Sequence, residues 1–432
     1  MEPAVAEEVE PSYDDIDFFR ARPLYQNPYP YYEWLRSHGP VWREPHHGAV
    51  MVTGYEEAIS VYHDPTTYSN CNTVAGPFTK WPVPLEGDDI SEIIEEYRDT
   101  LPFSDQLPSF DPPKHTAHRA LLMRLITPKR LKENEDFMWQ LADRQIDEFI
   151  GAGKCEFVHD YASPFTLLVI ADLLGVPEDQ HAQFREELQG EHRPTSNTRE
   201  GMVAHKPLEF LYERFTAFIE ERRRNPRNDV MTQLATATFP DGTLPDVHDV
   251  MLIASNLFAA GQETTARLLG TMLRFMAERP ELQQTLRDRR DLIPSFIEEC
   301  LRLESPLQGQ FRLSRVATKL GELDIPPGTH VFVMPGAANR DPRQFENPTE
   351  LRLDRPNGRQ HVGFGFGIHL CAGAPLARAE ARVSTERLLD RMTDIRIDEA
   401  EHGPPDARRY EYTPIYLMRG LERLYLEFSP TS

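Results

Sequence analysis

The stretch FGFGIHLCAG, residues 364–373, places one of the chain's four cysteines behind a series of glycines. The amphipathic segment APLARAEARVSTERLLDRM follows it, which predicts that Cys371 lies where a loop enters a helix. Free N–H groups and partial positive charge at a helix start favour the thiolate form of a cysteine. Cys371 is therefore a candidate nucleophile or metal ligand.

The glycines around the cysteine bear on the choice between these two roles. A nucleophile needs a base nearby, and His369 is a nominal one. However, the glycines indicate a backbone pressed against a flat, bulky group, with N–H groups directed at the sulfur. They are Gly363, Gly365, Gly367 and Gly373. A planar macrocycle whose iron binds the sulfur explains this pattern better than a nucleophile does.

The loop resembles the haem-binding loop of the cytochrome P450 family, whose pattern is F-G-x-G-x-[HR]-x-C-x-G. The matching residues are Phe364, Gly365, Gly367, His369, Cys371 and Gly373. The resemblance covers essentially the whole chain from about residue 25. It implies a mainly α protein with small β-sheets, a long central helix over the haem and the cysteine-ligand loop before the following helix. The implied cofactor is haem b (iron protoporphyrin IX), with Cys371 as the axial thiolate ligand.

A second motif lies in a predicted long helix. The segment DVHDVMLIASNLFAAGQETTARLLGTMLRFMAER contains no proline and predicts about 34 helical residues spanning roughly 50 Å. Its polar middle, AAGQETT, is similar to the family signature [AG]-G-x-[DE]-T-[TS]. The resemblance implies that Ala260 and Gly261 adjoin the haem, with Gly261 allowing a bulge in the helix. It also implies that Glu263 and Thr264 are catalytic and relay protons during dioxygen activation.

The propionate groups of haem are carboxylates and call for arginine or histidine partners. The family motif H-x-x-x-R matches His115 and Arg119 in DPPKHTAHR, and His369 is a further candidate. The family also places an arginine before the IPPG turn. Counting back thirteen residues from that turn reaches Arg312, whereas Arg315 requires a three-residue deletion. We favour Arg312, and Arg315 stays the alternative.

The segment FIEECLRLESP contains the pattern E-x-x-R as Glu299 and Arg302. Residues three apart on a helix can form an ion pair. In its place before the cysteine loop, this pair is similar to the family's core-stabilising pair, and Arg355 is the expected third member. The implied role is to hold the irregular segment 335–363 under the haem.

The remaining segments predict the surrounding architecture. NPYPYYEWLRSHGP indicates a helix closed by Gly39-Pro40, GAVMVTG a strand, and residues 114–222 a series of helices. ELDIPPGTHVFVMPG indicates a hairpin, and RRYEYTPIYLMRGLERLYLEF has hairpin character near the C-terminus. We expect an N-terminal extension over residues 1–24 and a single catalytic domain over 25–432. The long segments 76–113 and 188–206 are candidate lids or surface insertions.

Composition excludes several classes of protein. A net charge of -22 disfavours nucleic acid or an anionic membrane as the principal partner. The acidic start and the absence of a run of about 18 apolar residues predict a soluble, cytoplasmic protein without a membrane anchor. The dispersed cysteines argue against disulfides and zinc knuckles. These features resemble the soluble bacterial branch of the family, and we expect a monomer.

The implied activity is that of a monooxygenase that inserts one atom of dioxygen into a mainly apolar small molecule. The resemblance implies electrons from an iron-sulfur ferredoxin through a separate reductase. A basic group of residues is a candidate docking site for that ferredoxin, with a solvated helix end as the alternative: Arg124, Lys129, Arg130, Lys132 and Arg378. Two other functions are a peroxide-driven peroxygenase, against which Glu263 and Thr264 argue, and a non-enzymatic haem-thiolate ligand sensor.

The sequence predicts an apolar pocket without ranking terpenoid, aromatic, steroid and fatty-chain substrates. By analogy with the family, the candidate lining residues are Phe78, Trp81, Phe103, Leu257, Phe258, Leu307, Gln308, Gln310 and Phe311. Some of these residues are expected to be ordinary core.

Overall fold

The computed structural model describes residues 13–189 and 206–431. Helices dominate the amino-terminal half, where they are α1 (Arg22–Gln26), α2 (Tyr29–Ser37), α3 (Tyr55–His63), α4 (Ser91–Tyr97), α5 (Lys114–Leu122), α6 (Pro128–Phe149), α7 (Ser163–Leu173) and α8 (His181–Gln189). The later helices are α9 (Lys206–Arg224), α10 (Val230–Ala235), α11 (Val247–Ala277), α12 (Pro280–Asp288), α13 (Ile293–Leu303), α14 (Pro335–Ala338), α15 (Ala374–Arg391) and α16 (Glu399–His402). The expected mainly α class is confirmed.

The strands are short and form three small sheets. They are β1 (Val41–Arg43), β2 (Val50–Val52), β3 (Tyr68–Ser69), β4 (Lys154–Glu156), β5 (Gln310–Ser314), β6 (Thr318–Leu320), β7 (Leu323–Ile325), β8 (His330–Val333), β9 (Met392–Ile397) and β10 (Tyr425–Pro430). The sheet orders are β1-β2-β8-β5-β3, β4-β10-β9 and β6-β7. Among the named strands, only β2 and β8 pair in parallel, and Val52 lies opposite Val333.

The long helix α11 forms the centre of the helical layer. Its side-chain cap is Asp246, whose carboxylate accepts a hydrogen bond from the Asp249 N–H. Its 31 residues correspond to about 46 Å at 1.5 Å each. It packs against α7, α9 and α15. After its first three residues α11 is mostly buried at 250–258 and again at 265–277, whereas residues 259–264 in its middle are exposed or half-buried.

The predicted hairpin through the IPPG turn is wrong. β7, before the turn, pairs antiparallel with β6, whereas β8, after it, pairs with β5 and β2. Pro326 and Pro327 have no N–H groups, so the turn carries no ladder of hydrogen bonds between β7 and β8. Gly328 has φ of +77° and donates its N–H to the Ser314 oxygen at 2.8 Å. The turn thus moves the chain from the two-stranded sheet to the five-stranded one.

Other local predictions are confirmed. Helix α2 ends before Gly39, which has φ of +126°, and GAVMVTG forms the buried strand β2. The C-terminal hairpin is present between residues 411 and 422, where Tyr412 lies opposite Leu421. It carries the chain into β10.

The predictions for the two candidate lids and for the N-terminal extension compare differently with the structure. Segment 76–113 includes α4 and several buried apolar side chains, so it is partly core. Segment 188–206 lies largely outside the described residues. In the expected extension, Phe18 and Phe19 are buried against Tyr25 and Phe332. The described part of the extension therefore packs onto the rest of the chain.

Candidate active site

Cys371 lies in a tight loop that is closed by its own backbone. Its N–H donates to the Phe364 oxygen at 2.9 Å, and a single 3-10 turn, Gly367–His369, precedes it. Gly365 and Gly367 both have φ of +69°, a conformation that favours glycine. A Cβ atom at Gly367 would lie 2.4 Å from the backbone oxygen of Tyr62. The loop therefore needs glycine both for its turns and for its close approach to α3.

Cys371 is the exposed cysteine of the chain, whereas Cys71, Cys155 and Cys300 are buried. Its environment differs from the expectation of a ready thiolate. Although the Cys371 side chain is accessible to solvent, the protein atoms packed around it raise the pKa of its thiol by desolvation, while N–H groups of Gly373 and Ala374 and the charge of Arg119 act in the opposite direction. A free nucleophile needs a lowered pKa, whereas a metal deprotonates its thiol ligand on binding. This environment favours the role of metal ligand.

A cluster of four basic side chains, His115, Arg119, Arg312 and His369, adjoins this loop, and the charge of Asp111 acts on His115 and Arg312. The rings of His115 and His369 have centroids 4.0 Å apart, and Arg119 donates to the Leu370 oxygen at 2.6 Å. Burial, followed by the charges of Arg312, His115 and Arg119, lowers the pKa of His369 to about 2. The structure therefore brings together all four propionate candidates.

The cluster fits the two carboxylates of haem. In the described part of the chain, neither Arg119 nor Arg312 forms an ion pair with a carboxylate. His115 Nδ1 and His369 Nε2 are buried without a hydrogen-bond partner there. Buried polar groups are usually paired, and cations attract anions most strongly where water is excluded. Two added carboxylates would supply the missing partners.

The structure also separates Arg312 from Arg315. The Arg315 guanidinium donates to Asp111 Oδ2 at 2.6 Å, and Arg98 donates to the same atom at 2.6 Å. Arg312 instead bonds neutral groups, the Thr73 hydroxyl at 3.1 Å, the Phe311 oxygen at 2.8 Å and the Gln310 side chain at 3.2 Å. The charge of Arg315 is thus already paired, whereas that of Arg312 is available to a propionate.

We expect Arg312→Gln to speed haem dissociation by about tenfold or more, because a hydrogen bond to a charged group contributes about 1.5–3 kcal/mol. The measurement is the rate at which haem transfers to an excess of a haem-free acceptor protein that binds haem tightly. Arg315→Gln is the matched control and should lower the thermal unfolding midpoint without changing the haem transfer rate. Faster transfer in Arg315→Gln alone would reverse the assignment.

The middle of α11 carries the second part of the site. Ala260 is exposed, and the Thr264 hydroxyl one turn later donates to the Ala260 oxygen at 2.8 Å. A Cβ atom at Gly261 would lie 3.4 Å from Ile170, so this glycine faces α7. The expected bulge is not observed, since α11 is a continuous α-helix throughout. The Thr264 hydroxyl bonds back to the helix rather than opening it.

Glu263 lies on the exposed side of the helix, with 47% of its side chain accessible, and forms an ion pair with Arg267. Arg267 is buried and also donates to the Thr413 hydroxyl, which donates to Glu422 at 2.6 Å. A polar chain therefore joins α11 to the C-terminal hairpin. Arg267 was not among the predicted site residues, although its position four residues after Glu263 is typical of an ion pair on one helix face.

A second missed residue is Glu380 on α15, nine positions after the cysteine. It is 1% exposed, and its carboxyl bonds Thr265, the neighbour of Thr264. Burial raises the pKa of this carboxyl well above its ordinary value, and the hydrogen bond with Thr265 acts in the opposite direction. The available signal was a glutamate one turn from Leu376 on the buried face of α15. This contact fixes the acid–alcohol region of α11 against the helix that follows Cys371.

The E-x-x-R pair forms the expected cluster. Glu299 accepts from Arg302 Nε at 2.7 Å and from Arg355 Nε at 3.0 Å. Arg302 also donates to backbone oxygens of Asn339, Pro348 and Glu350. The cluster thus ties α13 to the irregular segment before the cysteine loop.

The basic residues proposed for docking have local partners. Arg378 pairs with the buried Glu298 at 2.7 Å, and Lys129 and Lys132 form surface pairs with Glu133 and Glu135. Arg124 donates to the Thr238 oxygen at 3.1 Å, and Arg130 donates to the side chain of Gln233. Beside Cys371, however, Phe366, Ile368 and Leu370 are exposed apolar side chains.

Several expected substrate contacts are core residues. Phe258 is fully buried between Phe184 and Phe215, and Phe311 is fully buried against Phe332. Gln308 is also buried. Its amide donates a hydrogen bond to the Ser305 backbone oxygen and accepts one from the Tyr32 hydroxyl. These three assignments to the lining are therefore wrong. Phe78 is exposed, and Trp81 and Gln310 are half-buried.

Within the described residues, no helix combines the length and the apolar character needed to cross a bilayer.

Known proteins match this architecture along the whole chain. The family model Cytochrome P450 matches residues 192–401. Cytochrome P450 144 of Mycobacterium tuberculosis is 34% identical over 422 residues, which cover 96% of this chain and 91% of that protein. The biotin biosynthesis cytochrome P450 of Bacillus subtilis is 30% identical over 414 residues, which cover 93% of this chain and 96% of that protein.

Solved structures show the same relationship. Substrate-free CYP150A6 of Mycobacterium marinum is 53% identical, with 98% of this chain and 100% of that chain covered and a TM-score of 0.92. CYP109E1 of Bacillus megaterium in complex with testosterone is 26% identical, with coverages of 93% and 99% and a TM-score of 0.77. The chain belongs to the cytochrome P450 family, whose members are generally haem-thiolate monooxygenases.

Proposed function

We propose that this cytochrome P450 hydroxylates a mainly apolar small organic substrate with one atom of dioxygen, using electrons from an iron-sulfur ferredoxin and a separate reductase. The observation that carries the proposal is the placement of Glu263 and Thr264 on α11, held by the Thr265–Glu380 contact against the helix that follows Cys371. A peroxide-driven enzyme or a ligand sensor does not need this acid–alcohol pair.

The residues of the proposed haem site have four roles. Cys371 would bind the iron, while His115, Arg119, Arg312 and His369 would hold the propionates. Phe364, Gly365 and Gly373 would shape the cysteine loop that holds the group, and Ala260 and Gly261 would contact it from α11. Bound haem supplies the reductive activation of dioxygen, which thiolate ligation promotes.

Glu263 and Thr264 would supply protons to this chemistry. The Glu263 carboxylate is accessible and ion-paired, so it can exchange a proton with solvent. The Thr264 hydroxyl is one residue further along and can accept a proton at its oxygen while donating its own. Its hydrogen bond to the Ala260 oxygen keeps it in place on the exposed face of α11.

The proposed substrate class rests on the exposed or half-buried apolar candidates and on structural neighbours. CYP109E1 structures contain testosterone or corticosterone, and a P450BioI structure contains hexadec-9Z-enoic acid ligated acyl carrier protein. These ligands share a large apolar surface. We therefore propose a steroid-like or fatty-chain compound. Exposed apolar side chains beside Cys371, with Arg378 nearby, would form part of the ferredoxin surface.

We expect Thr264→Ala to retain haem but to form about tenfold less product per electron pair, because a positioned proton donor contributes about 10²-fold or more. The measurement compares product, reduced nicotinamide and hydrogen peroxide during turnover with ferredoxin and reductase. The control is Thr271→Ala, two turns further along α11. Fully coupled turnover of Thr264→Ala, or product formation that needs only peroxide, would contradict the proposal.

A further inference from the structure

Three potential metal ligands meet near the amino terminus, apart from the proposed haem site. One ligand atom each from Asp17, Glu44 and His47 lies within 4.8 Å of the others. Asp17 precedes α1, Glu44 directly follows β1, and His47 lies in the turn that leads to β2. The closest pair is His47 Nε2 and Asp17 Oδ2, at 2.9 Å. The cluster therefore joins the start of the described chain to its first hairpin.

Glu44 has no countercharge that explains its burial. It is 0% exposed, and its two oxygens accept the backbone N–H groups of His46 at 2.9 Å and His47 at 2.7 Å. Among the described residues it forms no ion pair with a lysine or an arginine. Buried carboxylates are generally paired or coordinate a metal. Because backbone bonds use one lone pair of each oxygen, further acceptor sites remain.

Asp17 adds a second negative charge that is weakly compensated. It accepts the Phe19 N–H at 3.1 Å, and its cationic neighbour Arg20 lies 3.6 Å away with 74% of its side chain exposed. An ion pair this exposed contributes little. With a neutral His47, as a metal ligand must be, the cluster carries two carboxylate charges and one imidazole. Its charge is complementary to a divalent cation.

Tyr31 provides an independent indication of a missing partner. Its side chain is 1% exposed and stacked on Phe18, yet its hydroxyl has no hydrogen-bond partner among the described residues. The ring centroids of Tyr31 and Phe18 are 5.1 Å apart, and Phe18 is the residue that directly follows Asp17. A buried hydroxyl that has no partner among the described residues, on a ring packed beside the segment that carries Asp17, leaves room for a bridging group.

We propose that Asp17, Glu44 and His47 bind one divalent first-row transition metal ion, such as Zn²⁺, and that the Tyr31 hydroxyl bonds a water on that ion. Two carboxylates and an imidazole are ligands that Zn²⁺ accepts at about 2.0–2.2 Å. Ligand atoms around one tetrahedral ion lie about 3.3–3.6 Å apart, so the widest separation in the cluster would have to contract by about 1 Å. The fourth position remains open to water.

The ion would stabilise the amino-terminal segment rather than take part in oxygen chemistry. It would link Asp17 to the β1–β2 turn. The His47 ring also contacts Phe19 and Phe78, at centroid distances of 5.7 Å and 5.1 Å. Phe78 is a candidate substrate contact, so metal binding would order one edge of the proposed substrate region as well as the amino terminus.

The test is isothermal titration of chelator-treated, haem-loaded protein with ZnCl₂, with metal content measured after dialysis. We expect one tight site, and about tenfold or more weaker binding in both His47→Ala and Asp17→Asn. The adjacent, exposed His46 provides the control, and His46→Ala should bind as the wild type does. ZnCl₂ should also raise the thermal unfolding midpoint of the wild type and of His46→Ala, but not of His47→Ala.

Absence of a stoichiometric site in the wild type would overturn the proposal. Wild-type affinity in both Asp17→Asn and His47→Ala would also overturn it, because the bound Zn²⁺ would then lie at other histidines. The Asp17→Asn substitution preserves side-chain shape at a partly exposed position, so it tests the site even if His47→Ala folds poorly. Haem absorption of each variant reports whether the domain is intact.

Discussion

Cys371→Ala is expected to abolish the strongly red-shifted Soret band of the reduced carbonyl complex, together with substrate oxidation. The reason is that Cys71, Cys155 and Cys300 are buried, so none of them can replace the accessible sulfur of the loop. Alanine removes the sulfur but keeps the backbone turn, whose hydrogen bond from residue 371 to the Phe364 oxygen uses only the main chain. Absorption spectra of the reduced protein with carbon monoxide measure the effect.

The control for this variant is Cys155→Ala, which removes a buried thiol from β4. Its carbonyl spectrum should be that of the wild type. The basic cluster at His115 and Arg312 remains in Cys371→Ala, so some haem can still bind. Its reduced carbonyl complex is expected to show an unshifted band, because the thiolate ligand is absent. A red-shifted band in Cys371→Ala would show that another residue ligates the iron.

The largest expected loss of stability follows Arg302→Ala. Arg302 is completely buried, and its guanidinium makes hydrogen bonds to both Glu299 oxygens and to three backbone oxygens. Burial alone would raise the pKa of Glu299, but hydrogen bonds from Arg302 hold it below its ordinary value. Removing one partner leaves an underpaired buried charge, which costs about 3–5 kcal/mol. Thermal unfolding and the yield of haem-loaded protein measure the effect.

Arg352→Ala is the matched control in the same irregular segment. The Arg352 N–H donates to Glu299 at 2.9 Å, and alanine keeps that bond. Its side chain meets only the exposed Glu346 and Asp354, so its loss should cost about 0.5 kcal/mol or less. Equal effects of the two substitutions would contradict the structural role of the buried cluster. Arg302→Lys, which keeps the charge without the bidentate geometry, should fall between them.

Sequence reasoning succeeded where a local motif determines the structure. The glycines around Cys371 predicted the tight loop, because Gly365 and Gly367 adopt a conformation that other residues avoid. The proline-free run predicted α11 within a few residues. The E-x-x-R spacing predicted the Glu299–Arg302 pair, since both residues share one helix face. In each case the contacts lie within one loop or helix, or the order of motifs along the chain, which is typical of the family, predicts them.

Local sequence patterns could not predict contacts between segments that are distant in the chain. The strand after the IPPG turn pairs with β5 and β2, and nothing in its own residues identifies those partners. Glu380 is important because α15 packs on α11, which buries the carboxyl of an apparently ordinary helical glutamate and raises its pKa. Similarly, the partner of Arg315 is Asp111, about 200 positions earlier in the chain. Only tertiary packing distinguishes Arg315 from Arg312.

The polar chain from Glu263 through Arg267 and Thr413 to Glu422 means that the proposed proton supply depends on the last part of the polypeptide. A protein shortened before Thr413 would retain the cysteine loop, the α11 motif and the E-x-x-R pair. It would nevertheless leave the buried Arg267 without its hydroxyl partner and would free it to hold Glu263 more tightly. The proposed proton supply therefore depends on more than the motifs, and we expect coupling to depend also on an intact C-terminal hairpin.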